Sequence, residues 1–254
     1  MVRQNQNNDD LVSVVERYPK RKSLVLPVFI FICSAYLFFP SAEEFNNLKQ
    51  KIIEQPLITS NKPDQNLDLH QLVKNASKKN IKRYLNQVDI KEINQVKHGM
   101  TPIMLAASRG DAKIIDILFK HGADPNKRGS MERTALLYAV EKNHIEAVKQ
   151  LLSHGADIDA YDNGRLTPLV MAASRGYSEL SLLFIKSGAN VDIQHRDGWT
   201  ALIDATAHGD EKVVKALLKA GANTKLEEKN GKTALDYARE YGFSELVKIL
   251  SNES

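Results

Sequence analysis

Apolar positions along the chain follow three different rhythms. Residues 24–39 read LVLPVFIFICSAYLFF, an apolar run without a single charge. Residues 67–95 show helical spacing, with Leu69, Leu72, Val73 and Ala76 on one face, followed by Ile81, Tyr84 and Leu85. From residue 96 to the C-terminus the pattern recurs every 33 residues, through Thr101, Thr134, Thr167, Thr200 and Thr233 and through Gly122, Gly155, Gly188 and Gly221. Two ladders in one register mark an internal repeat, and a period of this length belongs to a stacked solenoid. Each unit predicts a turn, a first helix capped by its threonine, a break, and a second helix closed by a left-handed glycine.

The details of the units agree with that reading. The first helices open as TPIMLAA (101–107), TALLYAV (134–140), TPLVMAA (167–173), TALIDAT (200–206) and TALDYAR (233–239), with Pro102 and Pro168 where a first turn tolerates proline. Ala106, Ala139, Ala172, Ala205 and Ala238 are small enough for neighbouring helices to approach closely. Breaks at Gly110, Asn143, Gly176, Gly209 and Gly242 precede second helices whose apolar sides carry Leu118-Phe119, Leu151-Leu152, Phe184-Ile185 and Leu217-Leu218. One such unit cannot bury its apolar faces alone, so stability comes from stacking. Residues 67–95 fit the pattern loosely and carry Lys74, Lys78, Lys79, Lys82 and Arg83, as a terminal unit facing water on one side should.

The Thr-Pro-Leu starts, the HGAD and AGAN ends at 121–124 and 220–223, and the following Asn126, Asp159 and Asp192 resemble the ankyrin repeat closely over five consecutive units. The resemblance implies an all-α ankyrin solenoid, built of stacked helix-turn-helix pairs with β-hairpin turns, whose usual activity is to bind a protein. One departure is consistent. The family's histidine after Thr-Pro-Leu is replaced by Met104, Leu137, Val170, Ile203 and Asp236, which implies loss of its hydrogen bond to the threonine.

Residues 24–39 are preceded by Arg17, Lys20, Arg21 and Lys22 and followed by Glu43 and Glu44. At about 1.5 Å per residue the run spans roughly 24 Å, short of a full hydrocarbon layer by an amount that snorkelling and interfacial aromatics absorb. We therefore expect a single N-terminal transmembrane helix, an uncleaved signal anchor, at residues 23–40. The basic flank places the N-terminus in the cytoplasm and the repeats outside it, in the periplasm if the source is a bacterium with two membranes. A cleaved signal peptide is the rival, and it would make the chain an exported or host-directed effector. The expected organisation is a cytoplasmic tail (1–22), the anchor (23–40), a linker (41–66), an N-terminal capping helix pair (67–95) and five ankyrin repeats (96–254).

Composition narrows the function. A formal charge of +4 is spread over 35 basic and 31 acidic side chains, with no single-sign block to bind nucleic acid. Cys33 is the only cysteine, so the chain can form neither an intrachain disulfide nor a thiolate metal cluster. His70, His98, His121, His144, His154, His195 and His208 lack metal-ligand spacing, and no phosphate-loop, dinucleotide or nucleophile-elbow motif occurs. The aspartates follow the repeat register and read as turn and cap residues. These patterns point to no catalytic residue, cofactor, metal or small-molecule substrate, and an enzyme with an unrecognised site is the weakest of the three readings.

Binding residues follow from the register. Arg109, Lys142, Arg175, His208 and Tyr241 hold one equivalent position at the end of each first helix, and the family resemblance puts that position on the concave face. Met100, Arg133, Leu166, Trp199 and Lys232 precede the five threonines. Together these ten residues make a strip in which apolar and aromatic side chains alternate with cations, the usual anchors of an interface. The strip predicts a protein partner with an acidic surface.

Overall fold

The computed structural model describes residues 68–75 and 78–252. The expected cytoplasmic tail, membrane anchor and linker (1–22, 23–40 and 41–66) lie outside the described residues. No described helix is long and apolar enough to cross a membrane.

Helices α1 (Leu69–Lys74), α2 (Lys78–Leu85) and the single turn α3 (Ile90–Ile93) come first. Five helix pairs follow at the 33-residue spacing, here called repeats 1 to 5. They are α4 (Pro102–Ser108) with α5 (Ala112–Lys120), α6 (Ala135–Glu141) with α7 (Ile145–Ser153), α8 (Pro168–Ser174) with α9 (Ser178–Lys186), α10 (Ala201–Ala207) with α11 (Glu211–Lys219), and α12 (Ala234–Glu240) with α13 (Ser244–Asn252). The boundaries have local causes. Thr101, Thr167, Thr200 and Thr233 each accept a hydrogen bond from the backbone N–H three residues on, and the break at Gly110, Asn143, Gly176, Gly209 and Gly242 has positive φ in every repeat. Asn143, at φ 55°, is the one residue of that ladder with a side chain, and asparagine tolerates the left-handed region better than most.

The first helices pack side by side as one row, α1 against α4, then α6, α8, α10 and α12, while each second helix packs behind its own partner. One apolar core runs through the whole stack from Leu69 to Leu250. In the paired apolar positions Leu118, Leu151, Phe184 and Leu217 are buried, and their neighbours Phe119, Leu152, Ile185 and Leu218 are half-buried. In the first unit Leu69, Leu72, Val73, Ile81 and Leu85 enter the same core.

Polar side chains bind one repeat to the next. Asn94 donates to Gly122 O (2.9 Å) and accepts from the Asp124 N–H (2.7 Å), and Asn126 repeats this with Gly155 O (3.0 Å) and the Asp157 N–H (2.8 Å). Asp159 and Asp192, having only acceptors, keep half of the pair, taking the Asn190 N–H (3.0 Å) and the Asn223 N–H (2.8 Å).

Two expectations need correction. Among the described residues no β-strand is present, and the turns expected as β-hairpins are tight loops whose one formal bridge is Lys97 with Met100. Gly129 N–H to Arg133 O, Asp162 N–H to Leu166 O, His195 N–H to Trp199 O and Glu228 N–H to Lys232 O each close a loop that holds at least one further backbone bond within its turn, too few to extend a ladder. The missing family histidine is also not a uniform loss. Met104, Leu137, Val170 and Ile203 are buried and fill its place, whereas Asp236 restores a tie by accepting from the Thr233 hydroxyl (2.7 Å) and N–H (2.9 Å). The expected weakness surfaces at Thr134, whose buried hydroxyl has no partner.

Candidate protein-binding site

In repeats 2 and 5 the residue before the capping threonine meets the fifth residue of the same segment, four positions after the threonine. This is the arrangement in which the residue before an N-cap packs on the fourth helical residue. Arg133 lies over the Tyr138 ring (6.0 Å) and Lys232 over the Tyr237 ring (5.4 Å). Met100 with Leu105, Leu166 with Met171 and Trp199 with Asp204 hold the equivalent positions.

The ten strip residues fall into two groups and a few isolated members. In repeats 2 and 3, Glu141 gathers both arginines, taking Arg133 Nη1 at 3.2 Å and Arg175 Nη2 at 3.6 Å. Arg133, with its side chain only 15% exposed, also reaches Asp162 Oδ2 through Nε at 3.4 Å. Asp162 in turn accepts from the N–H groups of Gly164 (2.8 Å) and Leu166 (3.2 Å), so the network fixes the turn that carries Leu166. In repeats 4 and 5 the contacts are aromatic. The Trp199 and Tyr237 rings are tilted at 4.9 Å, Tyr241 lies 5.9 Å from Tyr237, and Phe243 meets Tyr241 edge-on at 6.0 Å. Lys232 is bound to Glu240 at 2.6 Å, which holds its ammonium above the usual lysine range.

The remaining residues stand apart. Met100 is half-buried and its carbonyl faces His70 Nε2 at 2.9 Å. Arg109 is exposed and pairs with Asp111 at 3.3 Å, and His208 reaches Ser174 O through Nε2 at 2.9 Å. Lys142 is exposed at the end of α6 and makes no ion pair among the described residues. The strip is therefore less positive than its residue list implies, because its own carboxylates neutralise Arg109, Arg133, Arg175 and Lys232.

Sequence reasoning missed Tyr138, Glu141, Asp162, Asp204 and Tyr237. Aligning the fifth residue of each TPLxLAA-like segment would have found the tyrosines and Asp204, since it gives Leu105, Tyr138, Met171, Asp204 and Tyr237. Asp204 is neither a turn nor a cap residue. It lies inside α10, 7% exposed, with Oδ2 buried and without a hydrogen-bond partner, and burial pushes its carboxyl up to about 7. Among the described residues no group of three or more histidine, cysteine, aspartate or glutamate side chains converges as a metal site.

A family model described as "Ankyrin repeats (3 copies)" matches residues 69–162 and again residues 163–254. The chain belongs to the ankyrin-repeat family. The first match takes in α1 and α2, so the basic leading helix pair reads as ankyrin-like in sequence as well as in packing. Ankyrin repeats mediate protein–protein binding, and the family is typically non-enzymatic. M-phase phosphoprotein 8 of Rattus norvegicus and that of Mus musculus are each 37% identical to the chain over 91 residues, or 35% of its length. That stretch is 11% of the rat protein and 10% of the mouse protein, so the chain spans about a tenth of these relatives.

Proposed function

We propose that the chain holds one protein partner along the strip of turns and first helices, on the concave face of its ankyrin stack. Residues 23–40 tether it to a membrane with the repeats displayed outside the cytoplasm. The observation that carries the binding reading is the half-buried Trp199 and the exposed Tyr241, joined through the buried Tyr237 ring, together with the exposed Arg175 of repeat 3. Large rings and guanidinium groups held in place before contact lose little entropy on binding, and they are the residue types on which interface energy concentrates. The tether rests on the uncharged run at 24–39 behind Arg17, Lys20, Arg21 and Lys22. Acidic groups of the partner meet the N-terminal part of the strip, where Arg109, Lys142 and Arg175 are exposed.

A photo-crosslinking residue at Tyr241 of the full chain, compared with one at Lys215 on the second-helix side, tests the binding face. Adducts to a partner should form from Tyr241 and not from Lys215, and the reverse pattern would place binding on the other side of the stack. Reporters fused after Ser254 test the tether. One that works only outside the cytoplasm should be active, and the product should stay with membranes at full mass. Release of a product shorter by about 40 residues would instead support the secreted effector.

A further inference from the structure

Of the carboxylates on the strip, all but one are matched from within the chain. Glu141 and Asp162 hold Arg133, Glu240 holds Lys232, and Asp111 holds Arg109. Asp204 has no such cation. Among the described residues three buried side-chain oxygens lack a hydrogen-bond partner, those of Thr134, Asp204 and Thr206, and only that of Asp204 belongs to a carboxyl group. Its position is apolar or aromatic in every other repeat, as Leu105, Tyr138, Met171 and Tyr237. A buried carboxyl without a partner destabilises the free protein, and any of those four residue types would avoid it. Residues that oppose stability in this way concentrate at functional sites.

The surroundings define what Asp204 can take. Its position pairs with that of Trp199, as Arg133 pairs with Tyr138 and Lys232 with Tyr237. The Trp199 ring is itself 4.9 Å from the Tyr237 ring of the next repeat. A carboxylate in register with two aromatic residues is matched by a cation, which gains a charge-assisted hydrogen bond from the carboxylate and a ring contact from the aromatics. The strip already contains a model of this contact, since Lys232 sits over Tyr237 while bound to Glu240.

We infer that Asp204, with Trp199 and Tyr237, forms a subsite for one lysine or arginine side chain of the protein partner. Trp199 turns aside to admit the cation, which pairs with Asp204 Oδ2 and lies against the indole face. The inference rests on the strip being the binding face and adds the chemistry of one contact. The partner then presents acidic groups to repeats 1 to 3 and a basic residue to repeats 4 and 5, which fixes the direction in which it lies along the stack.

Trp199 is the only tryptophan in the chain, so its fluorescence reports this subsite alone. The full chain in mild detergent is titrated with N-acetylated, C-amidated Gly-Arg-Gly, Gly-Lys-Gly and Gly-Gln-Gly. The arginine or lysine peptide should give a saturable change and the glutamine peptide none. Asp204→Asn should weaken the response at least about tenfold, the loss expected when a charged hydrogen-bond partner is removed. Asp204→Leu, which restores the residue type of repeat 1, should melt higher than the native chain and lose the response too. Equal responses to the arginine, lysine and glutamine peptides overturn the subsite without use of any variant. An unchanged response in folded Asp204→Asn also overturns it. Because the tripeptides need no partner, failure here is separable from failure of the strip. If the tripeptides fail while crosslinks from Tyr241 persist, the strip stands and only the cation subsite falls.

Discussion

Repeats 2 and 3 and repeats 4 and 5 are built on the same helices and the same core, yet their exposed strips are finished differently. In the first pair every charge on the strip except Lys142 is engaged, and one glutamate spans two arginines from successive repeats. In the second pair aromatic rings replace that network, and a buried carboxyl is left without a cation. The turns differ in the same sense. At the position before each strip residue, repeats 2 and 3 place Glu132 (φ 59°) and Arg165 (φ 61°) in the left-handed region, where repeats 4 and 5 have Gly198 and Gly231. A solenoid can vary its surface repeat by repeat while the core stays constant, because each unit answers only to its neighbours. One half pairs its strip charges internally, and the other leaves a buried carboxyl without a cation.

The largest effect should not distinguish the halves. Leu151→Ala in α7 and Leu217→Ala in α11 remove fully buried side chains from the shared core, and each should cost about 2 to 5 kcal/mol in urea unfolding. A cost below about 0.5 kcal/mol at either site would show that the repeat register is misassigned there.

The next effect should belong to repeats 4 and 5 alone. Asp204 holds its proton more tightly in the folded chain, near pH 7, than in the unfolded chain, near its ordinary 3.8. Between those values the folded state binds more protons, so stability falls as pH rises and is level above about 7. The total loss is on the order of 4 kcal/mol. First helices α8 and α12 flank α10, and the titratable groups they carry are Asp236, Tyr237, Arg239 and Glu240 of α12, but burial alone moves Asp204. Asp204→Leu should remove this slope and exceed the native chain in stability at pH 8. An unchanged slope in the variant would assign the pH dependence elsewhere.

Smaller differences sharpen the comparison of charges and turns. Asp162→Ala should cost about 1 to 3 kcal/mol, since it leaves the mostly buried Arg133 and two turn N–H groups short of a partner. Glu240→Ala breaks only an exposed pair and should cost less than about 1 kcal/mol. Equal costs would mean that the two halves handle charge alike. Arg165→Gly should stabilise by at most about 1 kcal/mol by relieving a left-handed residue. Gly198→Ala should destabilise, because a Cβ there would lie 2.9 Å from Glu228 Cα.

The fold was legible because it depends on local, repeated signals. The threonine ladder, the positive-φ breaks and the alternation of one buried and one half-buried residue in each second helix each follow from neighbours in sequence. Asn126, Asp159 and Asp192 were legible as markers, although their bonds reach to the following repeat. The contacts that the strip residues make were much less legible. Arg133, Arg175 and Lys232 read as free cations because their carboxylates come together with them only after folding, Glu141 from eight residues beyond Arg133 and one repeat before Arg175. Asp204 read as one more turn aspartate, because the repeat register alone does not show that this helix-interior carboxyl becomes buried.

The central claim is that partner binding is carried by the strip and depends on its anchors, with the fold unaffected by their loss. Partner capture by the full chain, measured beside its melting temperature, for the native sequence and for Arg175→Ala combined with Trp199→Ala, tests it most directly. The account predicts capture weakened by at least about tenfold, each anchor contributing about 1 kcal/mol or more, with a melting temperature within a few degrees of native. Undiminished capture by the folded double variant would contradict it and move the binding surface off the concave face.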